Sequence, residues 1–398
     1  MRKLFVLLAS AVLAAGLLTA TGAAARKSSH AGGAHASQLP GKMGRFGGII
    51  SAHAIAGSSR TGDPTNPVAN PPLLWGGGPV MGTDTTGPIT VTPIYWEPNG
   101  YFNAGDYRLV INQYLHDVAA ASGTDSNVYS TATEYYGSNG SNSDATQNHI
   151  SYSVVAGAPI RDHNPFPKKG ACTVGNLDKS GIYEDGSGYT DCVSDAQVTA
   201  EIQKIITTLG LPQNDYAHAY VMLTPKHVAS CFYSLSTSNK HNVCTIDHYP
   251  SAGYCAYHTM FGPNYPVSGT VYANMPFPVY HSPVGFTCGT DAGGHGIIES
   301  PNNQKDADVE ISPLSHELME AFTDPNTTNG WTDATGEENG DDCAYVFGTM
   351  SGAAGARYNQ TINGHFYITQ EEFSNADWFN TNHAGGCVPS ESAVTPAP

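Results

Sequence analysis

The chain has 398 residues, with 17 Lys and Arg against 34 Asp and Glu, giving a formal charge of −17 at pH 7. So acidic a balance argues against nucleic acid or anionic membranes as partners. Hydrophobic residues make up 40% of the sequence, enough for a large buried core.

Met1, Arg2 and Lys3 form a positive start, Leu4 to Leu18 an apolar run, and Ala23 to Ala25 a small-residue stretch. That order is a secretory signal over residues 1–25. The run is shorter than the ~20 apolar residues a spanning helix needs, so no membrane insertion is expected after cleavage. Residues 26–78, rich in Gly, Ala, Ser, Pro and His, read as a flexible linker or propeptide. A single domain is expected over 79–389, followed by a disordered tail over 390–398.

Within that domain, Ile89 to Trp96 reads as a strand of β-branched and aromatic residues. Tyr107, Val110, Ile111, Tyr114, Leu115 and Val118 recur at helical spacing. Ile150 to Val155 is a second expected strand. Ser194 and Gln197 form a capping-box signature ahead of Val198, Ile202, Ile205, Ile206 and Leu209, and Gly210 and Pro212 end that helix. Ala219 to Leu223 and Val271 to Met275 are short apolar strands, and Asn363-Gly364 signals a late hairpin. Interspersed helices and strands define a mixed α/β (α+β) class, expected to hold a zincin-like domain with a mixed sheet.

An exported chain uses its cysteines as disulfides. The eight cysteines are expected to pair as Cys172–Cys192, Cys231–Cys255 and Cys343–Cys387, leaving Cys244–Cys288. No Cys-x-x-Cys pair occurs, which disfavours a thiolate zinc site.

The segment from Ser312 to Pro325 carries the chemistry. Ser312 as cap and Pro313 at the first helical position place a helix over 313–323, stopped by Pro325. Leu314, Leu318, Ala321 and Phe322 fall on one face, while His316 and Glu320, four residues apart, project together from another. This is the spacing of the zinc-peptidase motif His-Glu-x-x-His with its second histidine replaced by a carboxylate. Glu317 then occupies the position of the general base. The following acidic cluster, Glu337, Glu338, Asn339, Gly340, Asp341 and Asp342, offers Glu338 as a third ligand and Asp341 as a ligand or a partner that steadies His316. His258 and His295 are further candidate ligands. The same acidic loop also suits a structural Ca2+ site.

Other motifs extend along the domain in order: Ile94-Tyr95-Trp96; Tyr220 to Thr224; Cys231-Phe232; Cys255-Ala256-Tyr257-His258; the His316 helix with Thr323-Asp324-Pro325; Trp331; Glu338 to Cys343; Tyr358-Asn359; Asn363-Gly364; Gln370, Ser374 and Asn375; and Cys387. Through them the chain resembles the phosphate-induced protein 1 family, which includes the plant EXORDIUM proteins and has bacterial members. The resemblance implies a secreted, extracellular or cell-wall-associated protein, linked in plants to growth signalling, without a settled biochemical activity. Asp324 departs from the asparagine usual in plant members.

These readings converge on a secreted zinc-dependent hydrolase, expected to be a monomeric peptidase. His316, Glu320, Glu338 and Asp341 would hold Zn2+ and Glu317 would activate water on a peptide or protein substrate. The alternative is a non-catalytic binding or signalling protein of EXORDIUM type. Its 22 tyrosines would offer some stacking surface to cell-wall polysaccharide.

Overall fold

The β-branched run Ile89–Trp96 lies one strand in from the edge of a seven-stranded sheet. The computed structural model describes residues 49–51, 53–54, 71–101, 103–167, 189–233, 242–245, 254–278, 286–288 and 299–391, all within the unit Gly33–Pro398. The expected signal over 1–25, Cys172, His295 and the tail from 392 lie outside the described residues.

On one side Ile89–Trp96 pairs in parallel with the short strands Val154–Ala156 and Ile160–Asp162. On the other side it pairs in parallel with His218–Leu223, which pairs in parallel with Thr270–Met275. Tyr254–Phe261 and Ile49–Ser51 complete the sheet as antiparallel neighbours. The expected strand from Ile150 is shorter at its start, because Ile150 N donates instead to Tyr135 O at 2.9 Å.

Three helices, α1 (Gly105–Ala120), α2 (Asp195–Leu209) and α3 (Lys305–Thr323), supply the outer layers. Period-two alternation sends Val91, Tyr95, Val221, Leu223 and Val271 into one apolar cluster with Ile111 and Leu115 of α1 and Leu314 and Leu318 of α3. Ile94, Trp96, Tyr220, Met222 and Tyr272 enter a second cluster with Val198, Ile202 and Ile206 of α2. Both faces are therefore covered, as in sheets whose strands run nearly continuously apolar. The fold is α+β, and among the described residues no helix is long and apolar enough to cross a membrane.

The α2 capping box forms as the sequence predicts, with Ser194 N donating to Gln197 Oε1 at 2.8 Å, and Gly210 ends the helix at φ 64°. Asn363 and Gly364 join the strands Gln360–Ile362 and His365–Tyr367 with φ of 47° and 87°.

Three expectations are corrected. α3 starts at Lys305, not at Pro313; Gln304 caps it by accepting from Ala307 N at 3.0 Å, and Pro313 lies inside the helix. Cys231 pairs with Cys244, and Cys255 with Cys288, in place of Cys231–Cys255 and Cys244–Cys288. Cys231 and Cys244 stand directly opposite in an antiparallel pair, Cα atoms 4.1 Å apart, which makes that bridge local. The packed chain also reaches back across the boundary at 79: Leu73 is buried and Leu74–Trp75 pairs with Trp331–Thr332. Cys343–Cys387 forms as expected.

Candidate metal centre

The helical repeat carries His316 and Glu320 to the same side of α3, with Glu317 beside them. The strand Tyr254–Phe261 supplies His258, which alternation places with Ala256 and Met260 on the face toward the α3 core. The loop after α3 returns with Glu338 and Asp341, pinned at its end by Cys343–Cys387. All of these side chains are buried.

His316 Nε2 lies 2.9 Å from Glu320 Oε1 and 3.7 Å from Asp341 Oδ1. These separations bracket the ligand-to-ligand edge of about 3.3 Å that tetrahedral zinc geometry implies. Despite its proximity to Glu320, His316 Nε2 makes no hydrogen bond among the described residues, while Glu320 Oε1 accepts from the backbone N–H of Asp341 at 3.0 Å. The imidazole and the carboxylate thus approach each other without an N–H directed between them, as two ligands of a common ion do.

His258 forms a second group. Its Nδ1 lies 3.1 Å from Glu317 Oε2 and 3.5 Å from Glu320 Oε2. Its Nε2 lies 3.1 Å from the Asp324 carbonyl oxygen and 3.9 Å from Glu338 Oε1. The two groups His316–Glu320–Asp341 and His258–Glu317–Glu320 share Glu320, and in each the ligand atoms lie within 4.8 Å of one another. The buried His258–Glu317–Glu320 group can hold a metal ion.

Burial pushes Glu338 and Asp341 well above the usual carboxylate range, and the nearby Glu320 adds to both shifts. Burial also raises Glu317, against the hydrogen bond from His258. Burial acts upward on Glu320 as well, but His316 and His258 together hold it below its ordinary value. Burial opposes charge on both histidines, yet carboxylate contacts raise them: hydrogen bonds to Glu317 and Glu320 for His258, and the charge of Glu320 for His316. Among the described residues, both carboxylate oxygens of Glu338 lack a hydrogen-bond partner. A buried carboxylate in that condition is costly unless it takes up a proton or meets a cation.

Of the expected ligands, His316, Glu320 and Asp341 come together, while Glu338 lies beside His258. The contribution of His258 is legible only weakly in sequence, as one polar position on the inward face of an apolar strand. Glu372, from the strand Glu372–Phe373, is a further buried carboxylate raised by burial and then by Glu320; no local motif marks it. Comparison with family models, curated proteins and solved structures yields no match.

Proposed function

We propose that the protein is an extracellular metal-dependent hydrolase acting on peptide bonds, with a divalent cation, Zn2+ in the first instance, held by His316, Glu320 and Asp341. The supporting observation is the approach of His316 Nε2 to Glu320 Oε1 at 2.9 Å without a hydrogen bond. A cation there would polarise the scissile carbonyl and make water nucleophilic near neutral pH. Glu317, next to His316 on α3, would take the proton released as water attacks. Its raised proton affinity suits that task. Two ligating carboxylates make such an ion a weaker Lewis acid than one held by histidines. Secretion fits the disulfides Cys231–Cys244, Cys255–Cys288 and Cys343–Cys387.

A second reading makes the same ion structural, and the complete burial of His316, Glu317 and Glu320 favours it. The wall-binding alternative has less support, because Tyr95, Tyr107, Tyr114, Tyr129, Tyr135 and Tyr254 fill the core and present no stacking surface. The deciding experiment is Glu317→Gln in the purified secreted chain, assayed on a peptide library. The hydrolase reading expects the ion at His316, Glu320 and Asp341 to be retained and a loss of turnover of roughly 10²–10⁴-fold. Metal-bearing wild type that cleaves no peptide would leave the structural role; metal-free wild type would overturn both.

A further inference from the structure

Glu320 presents its two oxygens to different histidines: Oε1 lies 2.9 Å from His316 Nε2 and Oε2 lies 3.5 Å from His258 Nδ1. The tautomer of His258 follows from its other nitrogen. Nε2 lies 3.1 Å from the Asp324 carbonyl, which can only accept, so Nε2 carries a proton and donates it there. Nδ1 faces Glu317 Oε2 at 3.1 Å and Glu320 Oε2 at 3.5 Å: it donates to them when the ring is protonated, and in the neutral ring it is the nitrogen that can ligate. Metal-ligating histidines are oriented in this way, with the non-ligating N–H donated to a backbone carbonyl or carboxylate.

The space between Nδ1 and the two carboxylates suits either a proton or a cation. Local charge decides between them. Glu317, Glu320, Glu338 and Asp341 gather around two imidazoles, and Glu338 is 1% exposed with neither oxygen hydrogen-bonded, its Oε1 3.9 Å from His258 Nε2. With all four carboxylates ionised, one proton on His258 leaves this group strongly negative in a medium that tolerates buried charge poorly, whereas a divalent ion supplies twice the compensation.

We infer that a second divalent cation binds between His258 Nδ1, Glu317 Oε2 and Glu320 Oε2, and that the Glu320 carboxylate bridges it to the first. The inference rests on the proposed cation at His316, Glu320 and Asp341. A carboxylate bridge suits a co-catalytic pair about 3.5–4 Å apart, which clamps both the attacking and the leaving oxygen. The mixed imidazole and carboxylate donors suit zinc or manganese over calcium or a soft ion. In that arrangement Glu317 Oε2 serves as a ligand, and the general-base role proposed for Glu317 belongs to the centre with one ion.

The test is metal content of the full secreted chain after loading with Zn2+ and dialysis into metal-free buffer, read by elemental analysis and native mass spectrometry. The expected result is about two equivalents in wild type and about one in His258→Ala. One equivalent in wild type, kept in His258→Ala and lost in His316→Ala, would overturn the second site while leaving the first. No bound metal would overturn both. Should His258→Ala fail to fold, Co2+-loaded wild type gives the same decision by paramagnetic resonance. At two equivalents the bridged ions should couple, and the signal per cobalt should fall below that of the one-equivalent sample. Uncoupled signals at two equivalents would overturn the bridge.

Discussion

Gly340 lies so close to the His316 ring that an added Cβ would sit 2.6 Å from Nδ1. Its φ of −70° is open to any residue, so the demand for glycine is steric and not conformational. Gly340→Ala should therefore turn the imidazole away from Glu320 and weaken metal binding by roughly 10–100-fold, the usual effect of misorienting a ligand. Competition against a chromophoric chelator measures this, and unchanged affinity would remove His316 from the ligand set. At this scale, His316, Glu317 and Glu320 were legible because a helix turns their spacing into proximity. Asp341 was legible as a nearby acid. The placement of Glu338 beside His258 was not, since it depends on a strand far away in sequence.

Helix α3 shows why local signals mislead about an element's limits. Ser312-Pro313 looks like a helix start, because proline lacks the N–H that a first turn leaves unpaired. Inside the helix the same residue forfeits its bond to the Val309 carbonyl, at a cost of about 3 kcal/mol. The helix continues because every residue from Ala307 to Thr323 is buried, and apolar packing of Ile311, Leu314, Leu318 and Phe322 outweighs the lost bond. That packing comes from elements no window around Pro313 contains. The opposing loop depends on Cys343–Cys387, which spans 44 residues. Replacing both cysteines by serine should lower unfolding free energy in urea by about 2–5 kcal/mol. The change should also weaken metal binding, because Asp341 is then held to the helix chiefly through its N–H bond to Glu320. Full metal affinity in the serine variant would mean that the loop is positioned without the bridge.

Across the whole molecule, the strands Ile89–Trp96, His218–Leu223 and Thr270–Met275 and the α+β class follow from the runs of β-branched and aromatic residues and from helical spacing, whereas Tyr254–Phe261, which carries His258, does not. The sheet order does not, because it joins segments distant in the chain, and Cys231–Cys244 and Cys255–Cys288 do not, because their pairing depends on which strands and loops lie side by side. The acidic composition acts at this scale too, through buried carboxylates outside the centre. Glu134 accepts from the Asn375 and Ala376 N–H groups at the start of the helix α4 (Asn375–Asn380), and burial pushes it up to about 7. Burial likewise pushes Glu371 up to about 7 and Asp162 to about 6. Each binds its proton more tightly folded than unfolded, where carboxylates titrate near ~4. Their contribution to stability is therefore complete below about pH 4 and is lost as pH rises through 6 to 7. Glu338 and Asp341 shift in the same direction in the metal-free protein, and Glu320 in the opposite one. A divalent cation would replace protons at the centre, so loaded protein should lose less stability over that range. With chelator present, the melting temperature should fall from pH 5 to pH 8 by several degrees, at about 2–4 °C per kcal/mol. With Zn2+ present the fall should shrink to the share owed to the carboxylates outside the centre, Glu134, Glu371, Asp162, Asp308, Glu310 and Glu391 among them. Identical slopes with and without Zn2+ would show that the central carboxylates do not exchange protons for a cation, and the metal reading would fail on thermodynamic grounds.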